Sequence, residues 1–190
     1  SMKELTELFT VEKVHSSPAR FDMKKLEAIN GDKIRALSVE DFAHWTIPFL
    51  KKSGVIQGTE AEIALVKQAL PLIQERIVKL DEAPQLLKFL FVTEFAIDSD
   101  AVSKVNDESA KSILKRAHSD LEQLSTWTHE SIEAALRTSL IEEMGLKPRI
   151  AFTALRIATT GSTISPPLFE SMELLGKQAC LARISLALSL

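Results

Sequence analysis

Residues 144–169 contain no Asp or Glu, in a chain with 26 acidic residues among 190. The same stretch carries three cations, Lys147, Arg149 and Arg156, several Ser and Thr hydroxyls, and two aromatic side chains, Phe152 and Phe169. Single-stranded RNA is held by such a mixture. Cations meet phosphates, hydroxyls and backbone groups meet base edges, and flat side chains lie under bases. A loop and a helix start with chance charge would give the same composition.

The stretch ends on "GSTISPPLFESMELLG", Gly161 to Gly176. Ser165 and Pro166 each precede a proline, which pushes both toward extended backbone. Pro167 suits a first helical turn, where its missing N–H costs little. A stiff extended rim beside a helix start suits a base edge or a phosphate. It equally suits a plain helix start. Leu168, Met172 and Leu175, at i, i+4 and i+7, have core spacing.

Other candidate chemistry is sparse. The single cysteine, Cys180, lies among apolar neighbours and excludes an internal disulfide. His15, His44, His118 and His129 have no metal-ligand spacing. Glu142 with Glu143, and Asp98 with Asp100, fit a solvated helix end and a loop. No glycine-rich phosphate loop is present. No catalytic residue and no metal site is expected.

The elements that position these residues are helical nearly throughout. Asp22 caps a short helix expected to break at Asn30–Gly31. Ser38 with Asp41, and Thr59 with Glu62, have capping-box spacing, and Lys51, Lys52 and Gly54 end the helix between them. Pro71 should kink or divide the next helix, and Pro84 should open another. "VTEFAIDSDAVSKV" is a polar connection. The run from Asp107 buries Ile113, Leu114, Ala117, Leu121 and Leu124, and the next helix spans Thr128 to Gly145. The last, from Pro167 to about Leu188, is interrupted near Gly176. No paired strands and no repeat are visible. The expected fold is all-α, a helical bundle in two subdomains, 1–96 and 97–190, divided near Ile97–Asp100.

Bulk composition fits this picture. The chain is 45% hydrophobic and 26% charged, with a formal net charge of −3. That charge excludes coating of nucleic acid by sheer positive charge but leaves room for a local basic patch. No segment has the length of a membrane helix, and no signal peptide is visible. A cytoplasmic protein with no membrane partner is expected. Ser1 before Met2 resembles a remnant of tag cleavage, so a longer parent is expected.

Three co-linear segments resemble bacterial glutamyl-tRNA synthetases of the actinobacterial type. "RFDMKKLEAINGDKIRAL" (Arg20 to Leu37) is similar to the part just after the catalytic half. "ERIVKLDEAPQLLKFLF" (Glu75 to Phe91) is similar to the middle of the region that follows. "LKPRIAFTALRIATTGSTISPPLFESMELLG" (Leu146 to Gly176) is similar to the anticodon-binding end. The family's HIGH-type and KMSKS-type catalytic motifs do not occur in this chain.

The resemblance implies an α-helical cage that grips the tRNA(Glu) anticodon stem-loop, with no cofactor of its own. ATP and Mg would serve the catalytic domain of the full-length parent, a monomer. The first subdomain would touch the anticodon stem and the third anticodon base, and the second would hold the first two bases. By the same resemblance, Lys25 matches a stem contact and Arg76 the reader of the third base. Arg156 matches an arginine of the anticodon pocket, and Arg137 another once a one-residue gap is allowed. Ser165, Pro166, Leu168 and Phe169 match the corner around the first two bases. Three positions depart from relatives: Ala28 replaces an aromatic contact, Ser165 a threonine, and Pro167 a glycine. A helical protein-interaction scaffold without RNA binding is the alternative. It predicts an exposed apolar patch and no cluster of Arg137, Lys147, Arg149 and Arg156. A helical hydrolase or metal enzyme would need converging His and carboxylates, which the scattered histidines do not suggest.

Overall fold

Side-chain caps open five of the helices in the computed structural model, which describes residues 2–14 and 21–190. After a short exposed α1 (Met2–Leu8), Asp22 accepts from the Lys25 amide at 3.1 Å and opens α2 (Met23–Arg35). Ser38 accepts from the Asp41 amide at 3.1 Å and opens α3 (Val39–Lys52), after which Gly54 turns left-handed. Thr59 opens α4 (Glu60–Ala69) with a full capping box. Ser1, His15 and Arg20 lie outside the described residues.

Glu62 closes that box by accepting from the amides of Thr59 and Gly58, each at 2.8 Å, and of Gln57 at 3.1 Å. These bonds, those from Thr59 and Gln57 foremost, hold its carboxyl at about 2, below the ordinary 4.5. A depressed pKa contributes stability that is present above the unfolded value and lost as pH falls through the folded one. Glu62→Gln is therefore expected to flatten the loss of thermal stability between pH 4.5 and about 2. Melting curves of both proteins across that range check this, and parallel pH profiles would refute it.

Pro71 divides its helix, as expected: α4 stops at Ala69 and α5 (Pro71–Gln74) follows. Pro84 sits in the first turn of α6 (Ala83–Leu87). The expected break at Asn30–Gly31 does not occur, and α2 runs on to Arg35. Asn30 donates its side-chain amide to the Val78 carbonyl. Gly31 is buried, and a Cβ there would lie 3.1 Å from the Val78 side chain. This glycine permits close approach rather than a turn.

Beyond the connection at 92–105, which places Ala101 and Val105 in the core, come α7 (Glu108–Gln123) and α8 (His129–Leu136). From Arg137 to Glu143 the helix widens into π turns. Then follow α9 (Pro148–Thr160), α10 (Leu168–Leu175) and α11 (Lys177–Leu188), with Gly176 at φ +85° between the last two. Pro167 stands one residue earlier than expected, as the cap of α10 at ψ 136°.

Two hydrophobic clusters result. The first gathers Ile34, Phe42, Leu50, Val66, Ile73 and Leu87, and the second Leu114, Leu121, Leu136, Leu155, Met172 and Ile184. Each fully buried aliphatic side chain of this kind contributes about 1.5–3 kcal/mol on leaving water. In the second cluster α11 packs across α7 and α9. Helix α10 also touches α4, and its Leu174 packs against the first cluster. Among the described residues there is no strand, and no helix is long and apolar enough to cross a membrane.

Candidate nucleic-acid interface

The carboxylate-free stretch folds as helix α9 and a corner. Lys147, before a proline, is extended (φ −71°, ψ 133°), and Pro148 opens the helix. Ala151, Ala154, Leu155, Ile157 and Ala158 face the core. Arg149, Thr153, Arg156 and Thr160 follow at i, i+4, i+7 and i+11 and so share another stripe. Arg149 is exposed, Thr153 and Arg156 are half-buried, and Thr160 is buried. Helix α9 stops at Gly161, whose φ of +81° is left-handed.

The corner is held by Arg156. One guanidinium nitrogen, Nη1, donates to the Ser165 hydroxyl and, at 2.8 Å, to the Pro166 carbonyl. The Ser165 hydroxyl donates to the same carbonyl at 2.8 Å. Among the described residues, Nε and Nη2 of Arg156 make no protein hydrogen bond. Burial pushes the Arg156 pKa below the ordinary arginine value, and the nearby charge of Arg76 pushes it further. Arg76 is exposed just beyond α5, and its charge is felt at Arg156, 80 residues further along the chain. No carboxylate of the described residues lies within 4.0 Å of Arg76, Lys147, Arg149 or Arg156.

Ser165, Pro166 and Leu168 are buried, so they form the inner wall of the corner, while Ile164 stands out at 74% exposure. Phe169 meets Phe152 edge to face, centroids 5.1 Å apart. Arg137 lies 5.6 Å over the Phe152 ring and donates to Glu133 at 2.6 Å. The π turns begin at Arg137. Lys147 is exposed. Arg149, also exposed, lines a groove of about 310 Å³ with Lys104, Asp107, Ile113, Ile150 and Thr153. Lys25 is exposed on the first turn of α2, in the half built on the first cluster.

Two of the remaining chemistry-bearing groups have structural partners. Cys180 is fully buried, donates to the Met172 carbonyl at 3.5 Å, and burial pushes its thiol up to about 12. His129 pairs with Glu173 at 2.8 Å and joins α8 to α10. Among the described residues no three His, Cys, Asp or Glu converge as metal ligands.

Sequence reading missed Arg183. It is 8% exposed and donates to the carbonyls of Thr159, at 2.7 Å, and Phe89, at 2.9 Å. The available signal was a lone cation inside "CLARISLAL". Such a charge must find partners within the protein when buried.

The anticodon binding domain family matches residues 40–188. The glutamate–tRNA ligase of Saccharopolyspora erythraea is 45% identical over 187 residues, spanning 97% of this chain and 37% of its own. That of Rhodococcus jostii is 46% identical over 186 residues, spanning 97% and 38%. The chain thus spans well under half the length of the curated relatives it matches. The crystal structure of a glutamate tRNA ligase from Elizabethkingia meningosepticum has the same fold: TM-score 0.76 and 23% identity, covering all of this chain and 36% of that one.

Proposed function

The chain belongs to the anticodon-binding domain family, and from that premise we propose that it grips the anticodon stem-loop of tRNA(Glu) within a glutamate–tRNA ligase. The observation that carries this reading is the proline-walled corner held by Arg156, whose Nε and Nη2 make no protein hydrogen bond and which has no carboxylate beside it among the described residues. A half-buried guanidinium with unused donors is stabilised when an anion or a base edge meets them. An RNA loop supplies both.

In this reading the two hydrophobic clusters correspond to two subdomains, 1–96 and 97–190. Arg76 takes the third anticodon base. The free Nε and Nη2 of Arg156 face one of the first two bases, and Ser165, Pro166 and Leu168 set the shape of the wall behind it. Phe169, backed by Phe152, offers its remaining face for stacking. Arg137, Lys147 and Arg149 meet phosphates, and Lys25 meets the stem. The exposed apolar side chains Phe21, Met23, Leu26 and Ile29 fit a seat for the catalytic part of the parent. That part would use ATP and magnesium to join glutamate to the tRNA, as a cytoplasmic monomer.

The test is titration of labelled stem-loops that differ only at the third anticodon base, at one fixed salt concentration. Arg76→Ala should reduce discrimination at that base by about 1–3 kcal/mol, the scale of one base contact, while affinity for the best stem-loop falls less. Equal losses for all third-base variants would reject the role of Arg76. No binding by the unaltered chain would reject the reading as a whole.

A further inference from the structure

Arg183 is a buried cation with no carboxylate partner among the described residues. Its two terminal nitrogens reach opposite halves of the molecule. Nη1 takes the Thr159 carbonyl in the last turn of α9, and Nη2 takes the Phe89 carbonyl in the short 3-10 turn after α6 (Lys88–Leu90). Both carbonyls belong to helix ends, where the dipole is negative and oxygens lack intrahelical donors. The guanidinium also lies 4.2 Å over the Phe95 ring. Phe95 belongs to the strand of chain that crosses between the halves. One planar fork therefore closes two helix ends and rests on the connection between them.

That connection is held at further points. Asp98 donates its amide to the Gly161 carbonyl at 2.8 Å and pairs with Lys88 at 3.6 Å. A Cβ on Gly161 would lie 2.7 Å from the Ala96 carbonyl oxygen. Gly161 directly precedes the corner. A further contact between halves, α10 on α4, carries the apolar Leu174, and apolar burial lacks the direction that a forked guanidinium hydrogen bond has.

Resting on the functional reading above, we infer that Arg183 is a positioning residue for anticodon reading: it locks the half that carries Arg76 to the half that carries Arg156 and its corner. Arg183 touches no RNA in this role. It acts through the relative placement of the two readers.

The test uses the 190-residue chain with Arg183→Met and Arg183→Lys. Spin labels on cysteines introduced at the exposed Lys52 and Glu142 report the distance between halves without RNA. Native Cys180 is buried and stays unlabelled. The parent should give one narrow distribution. Arg183→Met should at least double its width while far-UV circular dichroism stays unchanged, and Arg183→Lys, which keeps the charge but loses the fork, should fall between. In stem-loop titrations Arg183→Met should cut third-base discrimination at least fivefold, with affinity for the best stem-loop reduced less than threefold. Should Arg183→Met not fold, Arg183→Lys decides alone, by a wider distribution and at least twofold weaker third-base discrimination. A folded variant with unchanged distances, or with wider distances and intact discrimination, overturns the inference. If the parent chain binds no stem-loop, the functional reading fails, and the distance arm still decides whether Arg183 holds the halves together.

Discussion

Gly161→Ala is expected to lower the unfolding free energy by roughly 2–5 kcal/mol, from about 1–2 for a left-handed non-glycine residue and about 1–3 for overpacking. Gly161 has φ +81°, and an added methyl would lie 2.7 Å from the Ala96 carbonyl oxygen and 3.3 Å from the Phe95 ring. The obstacle is backbone, so it cannot swing aside as a long side chain would. The same peptide accepts the Asp98 amide, so relief of the clash would disturb that bond too. Gly145→Ala is the control: its φ is +67°, but nothing stands within 4 Å of an added Cβ. It should lose only the strain, about 1–2 kcal/mol. Urea unfolding of both variants measures the difference. Equal losses would show that the approach of Ala96 carries no energetic weight.

Arg156→Ala is expected to weaken binding of a glutamate anticodon stem-loop by about 1–3 kcal/mol, the scale of a bidentate base contact. Two causes combine. The substitution removes the free Nε and Nη2, and it removes the Nη1 donor that ties the Pro166 carbonyl and the Ser165 hydroxyl. Arg156→Lys separates charge from geometry. An ammonium retains the positive charge but cannot hold the corner and present a planar edge together. The Lys variant should therefore keep the salt dependence of binding, which counts phosphate contacts, and lose most of the selectivity among anticodons. Titrations at two salt concentrations, with helicity checked by circular dichroism, test both statements. Unchanged affinity in a folded Ala variant would remove Arg156 from the site.

The reading of the site from sequence was uneven for identifiable reasons. Residues 144–169 stood out because a missing charge type is visible without any fold. Their division into an exposed Arg149, a half-buried Arg156 and a buried Ser165 was not visible. Ser165 was expected at the corner around the first two bases, and only the structure shows its hydroxyl engaged by Arg156 and the Pro166 carbonyl. Asn30–Gly31 has the composition of a turn, yet it is helical, because Val78 fills the space beside Gly31 and accepts from Asn30. No local signal announces a neighbour 48 residues away. The π turns from Arg137 were equally hidden, since apolar periodicity does not distinguish them from α turns over so short a run.

The helix starts after Asp22, Ser38 and Thr59, the division at Pro71 and the all-α class were determined by the sequence itself. A cap such as Asp22, Ser38 or Thr59 acts through hydrogen bonds within three residues, and a proline or a left-handed glycine acts on its own backbone. Only the tertiary structure decided that the charge of Arg76 reaches Arg156 and that Arg183 closes Thr159 and Phe89 together. Both depend on how two hydrophobic clusters dock. Docking is set by burial summed over many side chains, none of which records its partner in its own neighbourhood.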